Sequence, residues 1–136
     1  NIPGGVVLFI PQDKSFNGII KSEVGYIYGK KITNPTLKIV DNEIVDYQAE
    51  ENEALIKKAI REGGPDGRKI AILSIGTNYN MNIKDIDVTY KNKSKGMLTI
   101  YWGNNVSLGG NVKGLVEMEI QLEKPKIKKN KIRRKR

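Results

Sequence analysis

Apolar and polar positions along this chain alternate in short stretches and only once take a helical period. Val6–Pro11 (VVLFIP) is an apolar run closed by proline and reads as a buried strand. Gly18-Ile19-Ile20 and Glu23–Tyr28 are further strand-like pieces, interrupted by Gly25 and Gly29. Thr36–Val40 and Glu43–Tyr47 flank Asp41-Asn42, a pair that tolerates left-handed backbone and so predicts a hairpin. Lys69–Leu73 predicts another buried strand, residues 79–95 a polar excursion, and Met97–Trp102 a strong strand with the only tryptophan. In Leu115–Leu122 the side chains of Val116, Met118, Ile120 and Leu122 fall on one face and Glu117, Glu119 and Gln121 on the other.

The helical exception is Glu50–Glu62 (EENEALIKKAIRE). Acids fill its first turn and Lys57, Lys58 and Arg61 come late, which suits the helix dipole. Leu55, Ile56, Ala59 and Ile60 make the apolar stripe, and Gly63-Gly64-Pro65 ends it. Many short strands and one main helix over 50–62 predict an α+β domain, mainly β, with a mixed or antiparallel sheet or a partial barrel.

At 136 residues the chain has the length of a single domain. It contains no His and no Cys. A Ser-His-Asp triad, a thiol nucleophile, a Cys/His zinc site and a disulfide framework are therefore beyond it. No apolar stretch approaches 18 residues and no signal-peptide pattern opens the chain, so no membrane partner and a cytoplasmic location are expected. The opening residue is Asn1 rather than Met, which leads us to expect a piece of a longer chain.

Charge changes the picture more. The net charge is +9, from 24 Lys and Arg against 15 Asp and Glu. Lys124–Arg136 (KPKIKKNKIRRKR) holds nine positive groups and no acid, leaving residues 1–123 with 15 charges of each sign. The expected organisation is a neutral body over 1–123 and a strongly basic tail over 124–136. The tail has two compatible readings: a basic arm meeting phosphates, or a terminal hairpin in which Ile127 and Ile132 flank residues 129–131. The candidate nucleic-acid contacts are Lys124, Lys126, Lys128, Lys129, Lys131, Arg133, Arg134, Lys135 and Arg136.

Other candidate chemistry is thin. Glu117 and Glu119 lie on one face of one strand about 7 Å apart at the backbone, a spacing open to a metal or an acid/base pair. A solvated polar face is the simpler reading. Gly109–Gly114 lacks the spacing of a phosphate-binding loop, and Ser74–Asn78 lacks the dinucleotide fingerprint.

The order and spacing of Asn1-Ile2-Pro3-Gly4-Gly5, Ile75-Gly76-Thr77-Asn78, Gly96–Gly103 and Gly109-Gly110 resemble the C-terminal domain of the aminopeptidase T-like (M29) metallopeptidases. The Asp41-Asn42 hairpin, the helix after it and Lys124-Pro125 also fit. The resemblance implies a two-metal site whose ligands fall at Val6, Ile72, Thr99, Glu117 and Glu119. Only Glu119, and less securely Glu117, keeps a carboxylate there. It therefore implies a scaffold that has lost most of its metal ligands, with no metal or other cofactor and without the family's aminopeptidase reaction. The expected function is a non-catalytic binding or structural module whose basic tail meets RNA or an acidic protein surface, within a ribonucleoprotein assembly such as the ribosome. Two alternatives stand beside it. One is part of a metallo-aminopeptidase-like enzyme completed by an N-terminal domain or a partner. The other is a degenerate domain kept for homodimerisation.

Overall fold

The computed structural model describes residues 6–12, 14–77 and 96–129. Two antiparallel sheets pack face to face. One runs β1 (Val6–Phe9), β7 (Ile72–Gly76), β8 (Met97–Asn104), β9 (Lys113–Glu123), β3 (Val24–Ile27), β4 (Lys30–Thr33) across its width. The other runs β10 (Lys126–Lys129), β2 (Gly18–Lys21), β5 (Thr36–Val40), β6 (Glu43–Gln48). The sheets do not close into a barrel, and α1 (Glu53–Glu62) is the main helix.

Three long strands belong to both sheets. The register across β2 and β5 (Lys21 opposite Thr36) continues unchanged into β3 and β4 (Val24 opposite Thr33). The same holds for Lys21 opposite Lys126 and Gly25 opposite Leu122. Residues 18–27, 30–40 and 113–129 are thus three strands that bend together at 22–23, 34–35 and 124–125. Strands that turn a corner between sheets need a local kink. Asn34 and Lys124 supply it with φ of +50° and +39°, each just before a proline.

The inner faces follow from alternation. Ile20, Leu37, Ile39 and Ile44 from the four-stranded sheet meet Ile27, Ile32, Leu98, Ile100, Trp102, Ile120 and Leu122 from the six-stranded one, all buried. The hairpin at Asp41-Asn42 forms as its sequence predicts, with both residues at positive φ (+51° and +67°), the backbone of a type I′ turn.

Three expectations need correction. The helix begins at Glu53, not 50, because Glu50 and Glu51 pair with β4: Glu50 N–H donates to Thr33 O at 2.9 Å and Thr33 N–H to Glu51 O at 3.3 Å. Asn52 then turns the chain at φ +64°. β1 is not buried: Val7, Leu8 and Phe9 are all about half exposed, because β1 is an edge strand with only β7 beside it. The strand predicted over 69–73 forms over Ile72–Gly76, since Ile70 and Ala71 bond instead to Asn42 O and Tyr101 O. The expected α+β class, with antiparallel sheet short of a closed barrel and one main helix, holds. The polar excursion at 79–95 lies outside the described residues.

One buried amide organises the loop between β8 and β9. Asn105 is 2% exposed; its Nδ2 donates to Ala71 O at 2.7 Å and its Oδ1 accepts Val112 N–H at 2.9 Å. Its carbonyl accepts Leu108 and Gly110 N–H, both at 3.0 Å. Any Cβ on Gly110 would collide with the Asn105 side chain, so only glycine permits this approach.

The outward face of the six-stranded sheet is unusual in being polar yet buried. Ser74, Thr99 and Gln121 stand opposite one another on β7, β8 and β9 and are at most 3% exposed. Ser74 Oγ and Thr99 Oγ1 have no hydrogen-bond partner among the described residues. Glu119, two residues before Gln121, is half-buried. Burial pushes its carboxyl above the usual range, partly offset by a hydrogen bond from Gln121.

Two stability predictions follow from these contacts. Asn105→Ala leaves the Val112 N–H and the Ala71 carbonyl unpaired in the interior and should cost about 2–4 kcal/mol. Urea unfolding monitored by Trp102 fluorescence measures this, and a change below about 0.5 kcal/mol contradicts the role. For Glu119 the folded state holds its proton more tightly than the unfolded chain does. Its stabilising contribution is complete below the unfolded pKa and is lost as pH rises through the folded one. Glu119→Gln should therefore match the parent protein in acid and exceed it in stability at neutral pH. Equal unfolding midpoints at pH 4 and pH 7 for both proteins would refute this.

Candidate functional site

Strand register decides which of the candidate positions come together. Ile72 stands opposite Tyr101, and Tyr101 opposite Glu119; Thr99 lies two residues from Tyr101 on β8. Ile72, Thr99 and Glu119 therefore share the outward face of β7, β8 and β9, within about 10 Å at two strand spacings. Val6 pairs with Gly76 at the β1 edge of the same sheet. Glu117 lies on β9, and its side chain is outside what the structure describes. This face is not the solvated surface that strand alternation predicts, since Gln121 beside Glu119 is buried.

These side chains do not fit a two-metal centre. Ile72 has no lone pair, Thr99 offers a hydroxyl, and Glu119 is a single half-buried carboxylate. Among the described residues no three of His, Cys, Asp or Glu are grouped to hold a metal ion. At the inner end of the row Tyr26 donates its phenol proton to Glu123 Oε1 at 2.9 Å. Burial, then the hydrogen bond to Glu123, pushes its pKa up to about 12. Tyr26 is thus a fixed proton donor, ill suited to act as a base near neutrality.

The basic segment enters the fold as β10. Lys126–Lys129 pairs antiparallel with β2 along the edge of the four-stranded sheet, with all four residues exposed. The close approach depends on Gly18, where any Cβ would run into the Lys128 backbone. A terminal hairpin would return through Ile132. That part, with Lys131, Arg133, Arg134, Lys135 and Arg136, lies outside the described residues. Lys124 is exposed at the bend, and its N–H donates to Gly96 O at 2.7 Å.

Alternation places Lys126 and Lys128 on the outer face of this sheet, beside two lysines from the body of the chain. Lys126 is directly opposite Lys21; Lys128 is opposite Ile19, and Ile19 opposite Lys38. All four lysines are exposed. None forms an ion pair among the described residues, where the pairs are Lys58–Glu62 and Lys69–Asp66. The acid nearest in register is Asp46 opposite Lys38, and its Oδ1 accepts Tyr47 N–H at 2.9 Å. A groove of about 430 Å³ adjoins the face at the strand bends, lined by Lys21, Lys124 and Lys126 but also by Glu23 and Glu123. Lys21 and Lys38 are the residues that tail-based reasoning misses. Their signal was present in the outward positions of the predicted strands, but it needs the β10–β2–β5 register to become a patch.

No protein-family model and no curated protein matches the sequence. Among solved structures, AmpT from Thermus thermophilus aligns with a TM-score of 0.67 at 13% identity, over 95% of this chain and 38% of that one. The 2,5-dihydroxypyridine dioxygenase of Pseudomonas putida KT2440 aligns with a TM-score of 0.66 at 17% identity, over 93% of this chain and 40% of that one. The chain thus spans about two fifths of the length of either structure. AmpT belongs to the M29 peptidase family. At these identities the likeness is one of fold, shared with a part of each protein.

Proposed function

We propose that this domain is a non-catalytic binding or structural module that meets RNA through its basic C-terminal segment, as a component of a ribonucleoprotein assembly. The observation that carries this reading is β10: the basic segment is partly built into the fold, with its lysines held exposed along a sheet edge. Phosphate contact by such groups is strongly salt dependent and reads little sequence, because lysines on backbone phosphates position a strand without touching base edges. The fold likeness to AmpT supports the other half of the proposal. Three of the positions implied as metal ligands gather on one face, and two of these carry Ile72 and Thr99. In this reading the scaffold persists and the metal chemistry does not.

Fluorescence anisotropy with single-stranded RNA tests the first half. Affinity should fall steeply between 50 and 200 mM salt, with a log–log slope no steeper than about −6 for nine basic groups. No binding at 50 mM salt, or a flat salt dependence, would overturn it.

A catalytic reading draws on the same likeness, since one structural neighbour is named as a dioxygenase. Calorimetric titration with Zn²⁺ or Co²⁺, alongside an aminopeptidase assay, separates the two. Neither tight binding nor turnover is expected. Stoichiometric binding that disappears in Glu119→Gln would count decisively for the catalytic reading.

A further inference from the structure

We infer that RNA is held across the outer face of the four-stranded sheet by Lys21, Lys38, Lys126 and Lys128, so that the body of the domain takes part and the basic segment does not act alone. This rests on the RNA-binding reading above and names its surface. The first argument is charge. Residues 1–123 are neutral as a sum, but their charges are not evenly spread: two of their lysines share a face with two of the basic segment's, four cations against two acids, Asp46 opposite Lys38 and Glu43 opposite Val40.

The second argument is energetic. Like charges directly opposite one another on adjacent strands are destabilising, and Lys126 is directly opposite Lys21. The two run about 5 Å apart at the backbone, with Lys128 a further 7 Å along the strand. A polyanion laid across the face relieves that repulsion and releases its own counterions in doing so. The third argument is shape and composition. The face also presents Ile19, Thr36, Val40 and Gln48 and, among the described residues, no aromatic ring. It lacks the stacking platform that sequence-selective single-strand binders use, which fits contact with the sugar-phosphate backbone. The adjoining groove carries Glu23 and Glu123, so the phosphates belong on the open face and not inside it.

The test uses the full chain and a fluorescent single-stranded RNA. The Lys21→Ala/Lys38→Ala variant should lose about tenfold or more in affinity at 100 mM salt, and its salt slope should become shallower by about 1.4, the loss of two single-strand phosphate contacts. Both residues are exposed, so the Trp102 emission should stay unchanged, and because removing Lys21 relieves a repulsion the unfolding midpoint should not fall. Lys57→Ala/Lys58→Ala on the helix makes the same change in net charge elsewhere and should bind like the parent; an equal loss there would overturn the face in favour of overall charge. If the parent protein binds RNA and the Lys21→Ala/Lys38→Ala variant keeps its affinity and slope, the face is wrong while the basic-segment reading stands. If the parent itself fails to bind, that reading falls and takes this one with it. Displacement of RNA by polyglutamate as effective as displacement by unlabelled RNA would assign the face to an acidic protein and overturn the proposal.

Discussion

The architecture hangs on the corner where three strands bend from one sheet into the other. At its centre the Ser22 hydroxyl lies 2.8 Å from Val24 O and 2.5 Å from Glu123 O, and accepts Val24 N–H at 3.3 Å. It ties the bend of residues 18–27 to that of residues 113–129. Ser22 N–H donates to Pro35 O at 3.1 Å and Asn34 N–H to Glu23 O at 2.9 Å, which ties in the third strand. Backbone groups at a strand bend would otherwise lose their ladder partners, and buried groups without partners are costly. With the register preserved through all three bends, both sheets are fixed by one set of pairings. The same continuity carries Lys126 from the end of β9 to its place opposite Lys21.

Much of this was legible locally and little of it globally. The Asp41-Asn42 turn could be read directly because it depends on two adjacent residues that accept positive φ. The helix stripe of Ile56, Ala59 and Ile60 was legible for the same local reason, while its start was not. Glu50 and Glu51 look like a helical first turn, but Thr33, remote in sequence, takes their backbone groups. The bends show the limit more clearly. Gly18-Ile19-Ile20 and Glu23–Tyr28 read as separate pieces, since Ser22 stands between them and nothing nearby shows that the register runs through. Burial of β1 failed because apolar content predicts burial only for strands with neighbours on both sides. The lysine face was hidden by the arithmetic itself: a neutral total over residues 1–123 says nothing of which lysines share a face, and Lys21 and Lys38 meet the basic segment only through the β10–β2–β5 register.

The candidate ligand positions show how a fold and a chemistry come apart. Register alone brings Ile72, Thr99 and Glu119 to one face, whatever side chains they bear. A scaffold of this kind can present different groups at the same points. The two structural neighbours, an AmpT and a dioxygenase, differ from each other in name while matching this chain almost equally well. Function is therefore argued from side chains and not from the scaffold. Here the side chains that keep charge, exposure and proximity are lysines on the other sheet.

The open end of the sandwich explains why the sheets stay two sheets. On one side α1 runs along the β3–β4 hairpin: Asn52 Nδ2 donates to Lys31 O at 2.7 Å near its start, and Tyr28 donates its phenol proton to Glu62 Oε2 at 2.6 Å near its end. On the other side β1 and β10 are both edge strands, and Phe9, Ile75 and Ile127 line a small apolar cavity of about 100 Å³ between the layers. Pairing β1 with β10 would close a barrel and cover that cavity. It would also bring Lys129, which shares the inner side of β10 with Ile127, toward that apolar cavity, trading a hydrated ammonium group for an apolar lining. Desolvating charge without a partner costs more than burying a few half-exposed apolar residues returns. Lysine on β10 thus acts as an edge guard, an exposed charged row that discourages β1 from pairing there.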